Sequence, residues 1–338
     1  MVFSQDSNKE SQNYIFKTAI GHWKSQSLYI VAKLSIADLL KEKVMSVETI
    51  AQELNVRVDP LYRIMRTLAI EDVFKESANR KFGLGKKGHC LRSDVSCSMK
   101  NAVLMYGAEQ YKAWSNIDSV FKLTNSQSNP FEQTFGQSVF DYFKNNPESG
   151  RIFNVAMKEL AQEIYSQSSI IKAYDFSNFK KIIDIGGGNG HFLNEILSTL
   201  SPTVQGSLFD LPKVIQAYQG QNKNISLVAG DFFESVPDGG DLYILKRVLH
   251  DWSDDQAILI LSKIRKAMNP QSKLIIVEFV IDQKQKLPHW LDLHMMVMTG
   301  GRERSDGEFK NILEKSGFKI NKIIPTQGKL SIIDAVAG

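Results

Sequence analysis

The sequence KIIDIGGGNGHFLNEI at residues 181–196 decides the fold. A short apolar run from Lys181 to Ile185 predicts a buried strand, and the pattern from His191 to Leu200 predicts a helix. A glycine-rich turn lies between them. Because such a turn leaves backbone N–H groups and a helix N-terminus open to a ligand, this stretch predicts a ligand-binding βα unit.

Strand and helix signals continue to alternate through the rest of the chain. Ser253 and Gln256 predict a capping box that opens a helix ending near Met268, and Gly307 to Lys315 predicts another helix. Repeated units of this kind predict an α/β fold with a doubly wound, mostly parallel sheet, whose ligands lie at the carboxyl ends of the strands. The further predicted strands are Gly206–Phe209, Ser226–Val228, Asp241–Leu245, Lys273–Val280 and a final hairpin of Gly317–Ile324 with Leu330–Ala335.

The first half of the chain has helical periodicity from about residue 11 to residue 170. Ser46 predicts the N-cap of one short helix, and Asp59 predicts the N-cap of the next, with Pro60 at its first position. A hairpin predicted at Val73 to Leu84 completes a winged-helix shape. We therefore predict three parts: a winged-helix domain at 1–100, a helical linker at 101–170 that contributes to a substrate pocket, and an α/β domain at 171–338.

A winged helix also raises the possibility of a DNA-binding regulator. The second helix offers Arg63 and Arg66 as its basic residues, which is few for a surface that binds phosphates and reads bases. Its apolar residues predict a buried face instead: Leu61, Ile64, Met65, Leu68 and Ala69. We therefore favour a packing or dimer-forming role, with DNA binding as the alternative.

The composition is that of an ordinary globular protein. The 338 residues carry a formal net charge of +4 that is spread along the chain, and no apolar run reaches about 18 residues, so we expect no nucleic-acid or membrane partner. Cys90 and Cys97 lack metal-site spacing and predict free thiols. Because the N-terminus has no secretion signal, we expect a cytoplasmic protein.

The spacing of the glycine turn argues against two common phosphate-binding motifs. Gly186, Gly188 and Gly190 follow a GxGxG pattern, whereas a dinucleotide fingerprint has GxGxxG. A P-loop is also disfavoured, because no Lys-Ser or Lys-Thr pair follows the glycines. The turn therefore predicts a nucleotide-like ligand without a required phosphate, and a tight turn that binds nothing is the alternative.

Two later strand ends carry acidic residues that suit such a ligand. Asp210, at the end of the second predicted strand, can accept hydrogen bonds from ribose hydroxyls. Asp231 ends the third strand, where its carboxylate can accept an adenine amino proton and Phe232 can stack on the ring. Together the three strand ends predict an adenosine-containing ligand.

A histidine follows the fourth predicted strand, in LKRVLHDWSDD at residues 245–255. His250 lies just before the capped helix and near the ligand edge, where it can act as a general base. Glu278 closes the fifth strand and Glu303 lies in GGRERS, and either carboxylate can fix the imidazole tautomer and stabilise its protonated form. A helix-capping His250 with two surface glutamates is the alternative.

The motifs DIGGGNG, SLFDLP, GDFF, LKRVLHDW, IIVEF and GGRER occur in this order along the chain. In this the sequence resembles the plant caffeate-type and acetylserotonin O-methyltransferases and their bacterial natural-product relatives. Its N-terminal GHWKSQSLYIVAKLSIADLL is especially similar to the phenazine, mitomycin and aromatic-polyketide members. The resemblance implies a class I methyltransferase domain that binds S-adenosylmethionine, preceded by a winged-helix dimerisation domain in an intertwined homodimer.

The resemblance also implies roles for individual residues. Those at cofactor positions are Asp184, Gly186 and Gly188 in the loop, Asp210 and Leu211 at the ribose, Asp231 and Phe232 at the adenine, and Lys246 beside the adenosine. His250 matches the base, and Glu278 and Glu303 flank it. Those at substrate-lining positions are Phe153, Met157, His294 and Met298. The phenylpropanoid enzymes carry other side chains at the last two, so their caffeate specificity is not implied.

We therefore expect a metal-independent O-methyltransferase that acts on a phenolic hydroxyl of an aromatic metabolite. Phenols titrate near pH 10, so methylation near neutral pH gains from a histidine that accepts the proton as the oxygen attacks. The sulfonium donor becomes a neutral thioether, which requires no metal. The alternatives are a nitrogen or carbon acceptor, or a cofactor-binding regulator without catalysis.

Overall fold

The computed structural model describes residues 5–122, 128–163 and 167–338. Within these residues the chain packs into two compact units. The first contains residues 5–115 and 140–160, and the second contains residues 116–122, 128–139, 161–163 and 167–338. The segment from 101 to 170 is therefore shared between the units, and domain limits at residues 100 and 170 stay a prediction.

Helices and strands are numbered here in chain order. The helices are α1 (Gln5–Ala19), α2 (Gly21–Lys33), α3 (Ile36–Leu40), α4 (Val47–Glu53), α5 (Val58–Ile70), α6 (Lys100–Gly107), α7 (Glu109–Trp114), α8 (Pro130–Phe135), α9 (Val139–Asn145), α10 (Pro147–Glu163), α11 (Gln167–Ala173), α12 (His191–Ser198), α13 (Pro212–Gln216), α14 (Asp254–Ala267), α15 (Lys286–Met298) and α16 (Asp306–Lys315). The strands are β1 (Met45–Ser46), β2 (Phe74–Ser77), β3 (Lys81–Leu84), β4 (Lys181–Ile185), β5 (Gln205–Asp210), β6 (Ile225–Ala229), β7 (Leu242–Lys246), β8 (Lys273–Glu278), β9 (Val280–Ile281), β10 (Arg304–Ser305), β11 (Phe318–Pro325) and β12 (Ser331–Ala337).

The first unit contains the predicted winged-helix motif. Ser46 caps α4, because its hydroxyl accepts a hydrogen bond from the amide of Thr49 at 3.2 Å. Strands β2 and β3 pair as the predicted antiparallel hairpin, and β1 pairs with β3 on its other edge. Leu61, Met65 and Leu68 of α5 are buried. The apolar face of this helix therefore packs into the core, as its sequence predicts.

The predicted start of α5 was wrong. The helix begins at Val58, and its N-cap is Arg57 rather than Asp59. Pro60 consequently occupies the third helical position, where a missing N–H costs nothing because the first-turn amides have no partner within the helix. Asp59 instead approaches Arg63 at 4.0 Å along the exposed face of the helix.

The second unit is built on a seven-stranded sheet of order β11-β12-β8-β7-β4-β5-β6. Strands β4 to β8 are parallel, whereas β12 runs antiparallel to both of its neighbours. The chain adds strands on one side of β4 and then returns to its other side at β7. This reversal creates the switch point at which doubly wound sheets bind ligands.

Apolar side chains cover both faces of this sheet. Ile183 and Tyr243 belong to one buried cluster, and Ile182 and Ile244 belong to another. Successive strand residues point to opposite faces, so strands covered on both sides have the continuous apolar runs seen in the sequence. The central strands β4, β7 and β8 are therefore buried on both faces, which leaves their carboxyl ends as the place for polar chemistry.

Helix boundaries in the second unit agree closely with prediction. Ser253 and Gln256 form the predicted capping box, with the Ser253 amide donating to Gln256 Oε1 at 3.2 Å and the Gln256 amide donating to Ser253 Oγ at 3.4 Å. Helix α14 ends at Ala267 with Met268 as its C-cap. Helix α12 ends at Ser198, two residues before the predicted end. None of the helices in the described ranges combines the length and the apolar character that a membrane-spanning helix needs.

Candidate active site

The carboxyl ends of β4, β5 and β6 are joined by backbone hydrogen bonds. The amide of Gly186 donates to the carbonyl of Phe209 at 2.8 Å, and the amide of Gly230 donates to the carbonyl of Asp210 at 3.0 Å. Because the three strands are adjacent and parallel, the glycine turn, Asp210 and the segment that begins at Asp231 lie along one edge. The structure therefore brings the three predicted adenosine-binding strand ends together.

The turn after β4 requires glycine for two different reasons. Gly186, Gly188 and Gly190 have φ angles of 67°, 60° and 68°, which favour glycine over residues with a Cβ. At Gly187 the constraint is space, because a Cβ there would lie 2.4 Å from Leu208 Cδ1 and 2.5 Å from an Asp184 carboxylate oxygen. The turn thus forms a cradle of backbone that a ligand can approach closely.

Asp210 is tied to this cradle through both of its carboxylate oxygens. Oδ2 accepts a hydrogen bond from the amide of Gly188 at 2.8 Å, and Oδ1 accepts one from the amide of Leu211 at 2.7 Å. Burial raises the pKa of Asp210, and these two backbone donors lower it. Each oxygen retains a lone pair, so the carboxylate is held where it can also accept from hydroxyl groups.

Asp231 and Phe232 begin the turn after β6. Asp231 is exposed, and its Oδ1 accepts a hydrogen bond from the amide of Phe233 at 2.9 Å. The ring of Phe232 is half-buried and meets the rings of Phe233 and Trp252 edge-on, with centroids 5.0 and 5.9 Å away. These contacts fix the aromatic ring beside the acidic residue, and their adenine-binding roles stay predictions.

Asp184, which is buried, and Lys246, which is half-buried, lie near the ends of the neighbouring strands β4 and β7. Burial raises the pKa of the Asp184 carboxyl to about 7, and the opposite charge of Lys246 acts against this. Burial also lowers the pKa of Lys246, whose ammonium lies 5.3 Å from the centroid of the Phe192 ring. Among the described residues no group donates to Oδ2 of Asp184, which leaves a buried acceptor beside the cradle.

His250 lies in a 3₁₀ turn, Leu249–Asp251, that follows β7. His250, Glu278 and Glu303 are all buried, at 9%, 0% and 2% exposure. His250 Nδ1 is 3.5 Å from Glu303 Oε1, and Glu278 Oε1 accepts the amide proton of Val248 at 2.9 Å. The two glutamates are therefore interior groups beside the histidine and not surface charges.

An arginine that the sequence analysis did not assign joins these residues. The Arg247 guanidinium donates from Nη1 to Glu278 Oε2 at 2.8 Å and to Glu303 Oε2 at 3.0 Å. Its Nη2 lies 2.9 Å from Glu303 Oε1 and 3.0 Å from His250 Nδ1. Arg247 thus pairs with both carboxylates at once, and Glu303 lies within reach of both the arginine and the histidine.

The pKa of His250 reflects a balance of opposing charges. Burial lowers the pKa and Arg247 lowers it further, whereas Asp251, Glu278 and Glu303 raise it, and the net shift is upward. Asp251 Oδ2 is 3.6 Å from His250 Nε2. Burial raises the pKa of Asp251 despite the nearby histidine and arginine. The cluster is therefore rich in carboxylates and well suited to stabilise a protonated imidazole.

A second unassigned arginine holds the turn that carries the histidine. Arg304 is fully buried and donates to the carbonyls of Leu249 and Trp252, each at 2.8 Å, and to Asp254 Oδ1 at 2.9 Å. The backbone of His250 is also fixed, because its carbonyl accepts the amide proton of Arg302 at 2.8 Å. These bonds give the 3₁₀ turn a fixed geometry.

The predicted substrate-lining residues fall in different units. Phe153 and Met157 lie on α10 in the first unit, where the Phe153 ring stacks on Phe143 with centroids 4.6 Å apart. His294 and Met298 lie one turn apart on α15 in the second unit. Burial lowers the pKa of His294 to about 4, and the charge of His250 contributes to this shift. Their substrate contacts stay predictions.

Sequence reasoning missed Arg247, Asp251 and Arg304. The first two stand beside His250 in LKRVLHDW, and Arg304 follows Glu303 in GGRER. The available signal was a concentration of charges next to apolar strand residues, but a sequence does not show which charges are buried. Within the described ranges, no group of three or more His, Cys, Asp or Glu side chains is arranged to hold a metal ion.

Comparison with known proteins identifies the family. A model of the O-methyltransferase dimerisation domain matches residues 16–91, and one of the O-methyltransferase domain matches residues 114–319. Phenazine O-methyltransferase PhzM of Lysobacter antibioticus is 40% identical over 325 residues, which cover 93% of each chain. Phenazine-1-carboxylate N-methyltransferase of Pseudomonas aeruginosa is 28% identical over 94% of this chain and 95% of its own. The solved structure of mitomycin 7-O-methyltransferase MmcR has a TM-score of 0.90 and 27% identity, and the match covers 99% of this chain and 100% of that one.

These matches confirm the family resemblance and the class I methyltransferase fold. The match at 16–91 also confirms that the N-terminal region is a dimerisation domain. The second match contains the glycine cradle, Asp210 and the His250 cluster. The chain therefore belongs to the O-methyltransferase family.

Proposed function

We propose that this enzyme transfers the methyl group of S-adenosylmethionine to a phenolic hydroxyl of an aromatic secondary metabolite, with His250 as the general base. S-adenosylmethionine is its cofactor and supplies an electrophilic methyl group. The residues proposed to hold it are Asp184, Gly186, Gly188, Asp210, Leu211, Asp231, Phe232 and Lys246. The glycine cradle and the unpaired buried oxygen of Asp184 fit a ligand with several polar groups.

One contact carries the proposal for the base. A Cβ on Gly186 would lie 2.9 Å from a methyl group of Val248, so the segment that carries His250 packs directly on the cofactor loop. His250 then follows Val248 by two residues and is surrounded by carboxylates. As the acceptor oxygen bonds to the methyl carbon, its proton passes to the imidazole, and the bond from carbon to sulfur breaks to leave a neutral thioether. Orientation of these atoms supplies a large part of such catalysis.

We propose a homodimer, which the dimerisation domain supports, located in the cytoplasm and without nucleic-acid or membrane partners. Phe153, Met157, His294 and Met298 are proposed to line the acceptor site. An aromatic polyketide or a phenazine-like compound is the proposed acceptor, and the second is supported by the similarity to PhzM, which is named for a phenazine.

The second candidate function is methyl transfer to nitrogen. The similarity to phenazine-1-carboxylate N-methyltransferase favours it. In that reaction His250 would position the acceptor without needing to ionise a phenol. NMR assignment of the methylated atom in the product separates the two functions.

The base assignment is tested with His250→Ala. Because general-base catalysis contributes about 100-fold or more, kcat on a hydroxylated aromatic acceptor should fall by at least that factor. Calorimetry should show unchanged S-adenosylmethionine binding. His289→Ala is the matched control, since His289 is an exposed histidine of the same unit and should leave kcat unchanged. Full activity of His250→Ala on a good acceptor would remove His250 from the role of base.

A further inference from the structure

Arg247 makes a contact with His250 that allows only one direction of hydrogen bonding. The guanidinium has no acceptor atom, so its Nη2 must donate to Nδ1 of His250 across their 3.0 Å separation. This contact requires a lone pair on Nδ1. The ring in contact with Arg247 is therefore unprotonated at Nδ1 and cannot be an imidazolium.

Glu303 makes the opposite demand on the same ring nitrogen. Its Oε1 lies 3.5 Å from Nδ1 and can only accept a proton from it when the carboxylate is ionised. Oε1 is also 2.9 Å from Nη2 of Arg247, although it has no hydrogen bond of good geometry among the described residues. Arg247 and Glu303 thus compete for Nδ1. Oε1 of Glu303 can accept a hydrogen bond either from Nη2 of Arg247 or from a protonated Nδ1 of His250.

The fold holds Arg247 in this position against a conformational cost. Its backbone has a φ of 55°, in the left-handed region that is unfavourable for a residue with a Cβ. Its amide donates to the carbonyl of Val277 at 3.1 Å, and its guanidinium lies 4.8 Å from the centroid of the Phe279 ring. Strained residues persist where the surroundings fix them, and they cluster at functional sites.

The charges around His250 show how Arg247 affects the protonation of the ring. The groups that face His250 are Arg247 and Asp251 on its own segment, Glu278 of β8, Glu303 before β10, and His294 of α15. With Arg247 present, one positive charge offsets the two glutamates. Without it, both carboxylates would act on the imidazole alone and favour the protonated ring, which cannot accept a proton from a substrate.

We propose that Arg247 is the positioning residue of the base: by pairing with Glu278 and Glu303 it offsets their negative charge, and so counteracts protonation of His250 before the acceptor is deprotonated. The inference rests on the proposed function of His250. In the contact with Arg247 the neutral ring carries its proton on Nε2. To accept the acceptor proton there, the ring must first release that proton to water and take one from water at Nδ1, which then donates to Glu303. Arg247 then donates its Nη2 proton to Glu303 Oε1 only. The exchange with water leaves the number of protons on the ring unchanged, and the proton gained from the acceptor then resides on Nε2 of the imidazole.

The test is an NMR titration of His250 in the whole enzyme with ¹³C-labelled histidine, assigned by comparison with His250→Ala. Arg247→Met retains much of the side-chain volume and removes the charge, and should raise the titration midpoint of His250 by about one pH unit or more. The acid limb of the kcat/KM profile should move upward by the same amount. Arg247→Lys keeps the charge and should restore most of the midpoint but not all of kcat, because an ammonium lacks the planar fork.

An unchanged or lowered midpoint in Arg247→Met overturns the inference. If Arg247→Met does not fold, Glu303→Gln provides the complementary measurement, since loss of that carboxylate should lower the midpoint and a rise would overturn the inference. The midpoint is measured without turnover. A failure of the proposed function, seen as full activity of His250→Ala or as no methyl transfer by the wild type, is therefore distinguishable from a failure of this inference.

Discussion

The amide of Gly188 and Oδ2 of Asp210 are joined by a 2.8 Å hydrogen bond that spans the ends of β4 and β5. Through this bond the carboxylate also orients the glycine cradle. A residue proposed to bind the ribose is therefore part of the loop proposed to bind the rest of the cofactor. Substitution of Asp210 should consequently affect cofactor binding by two routes, namely a lost acceptor and a less ordered loop.

Asp210→Ala should weaken S-adenosylmethionine binding by about tenfold or more, because hydrogen bonds to a charged group contribute about 1.5–3 kcal/mol. Asp210→Asn should weaken it less, since the amide retains one oxygen as an acceptor. Isothermal titration calorimetry gives both affinities. Asp238→Ala is the control, as an exposed aspartate of the same unit. Wild-type affinity in Asp210→Ala would show that this carboxylate does not bind the cofactor.

Adjacent glycines in the cradle should respond differently to substitution. At Gly188 a Cβ meets open space, so Gly188→Ala should cost only the strain of a φ of 60°, about 1–2 kcal/mol. At Gly187 a Cβ meets Leu208 and Asp184, and overpacking typically costs about 1–3 kcal/mol. Both stabilities are measured by urea unfolding.

Substitution by asparagine separates backbone strain at Gly188 from overpacking at Gly187. Asparagine tolerates the left-handed conformation better than alanine, so Gly188→Asn should be more stable than Gly188→Ala. Gly187→Asn should be less stable than Gly187→Ala, because it adds volume to a filled space. The reverse order at either position would contradict the geometry of the cradle.

Much of the carboxyl edge of the sheet, where β4, β5 and β6 end, was predictable from the sequence. The end of each strand follows directly from the end of an apolar run. The run before DIGGGNG fixes where β4 ends, and Asp210 and Asp231 stand at or just beyond the ends of β5 and β6. Parallel strands bring their carboxyl ends to one edge, so chain order alone places these residues together. Local capping was also predictable at Ser46 and Ser253, whose hydroxyls act within their own helical turn.

Long-range charge pairing was not predictable in this way. Arg247 pairs with Glu303 across 56 positions of sequence, and Arg304 with Asp254 across 50. Periodicity carries no information about such pairs, and arginines are mostly exposed in other proteins. The misplaced start of α5 has a local cause, since Asp59 is an acceptable N-cap in sequence while the helix in fact begins one residue before it.

Arg304→Met should destabilise the enzyme by about 2–4 kcal/mol, because it removes the donor from the buried carbonyl of Leu249 and from the half-buried carbonyl of Trp252. The pair with Asp254 adds less, since that carboxylate is 33% exposed. Arg302→Met is a matched control: Arg302 also pairs with Asp254, but its side chain is 44% exposed, so its loss should cost less than about 1 kcal/mol. Urea unfolding measures both. Equal losses would show that Arg304 does not hold the turn.

The stability of the enzyme should depend on pH through Asp184. The pKa of Asp184 is about 7 in the folded protein and 3.8 in the unfolded chain. Between pH 3.8 and about pH 7 the folded state therefore keeps a proton that the unfolded state has lost. The stabilising contribution is therefore complete below a pH of about 4 and is lost as the pH rises to about 7. Asp184→Asn has no such proton, and its stability relative to the wild type should increase over this range and then stay constant. Urea unfolding without added cofactor, at intervals from about pH 4.5 to pH 8.5, gives both curves. Parallel curves for the two proteins would mean that Asp184 is ionised in the folded enzyme throughout, and that Lys246 compensates fully for its burial.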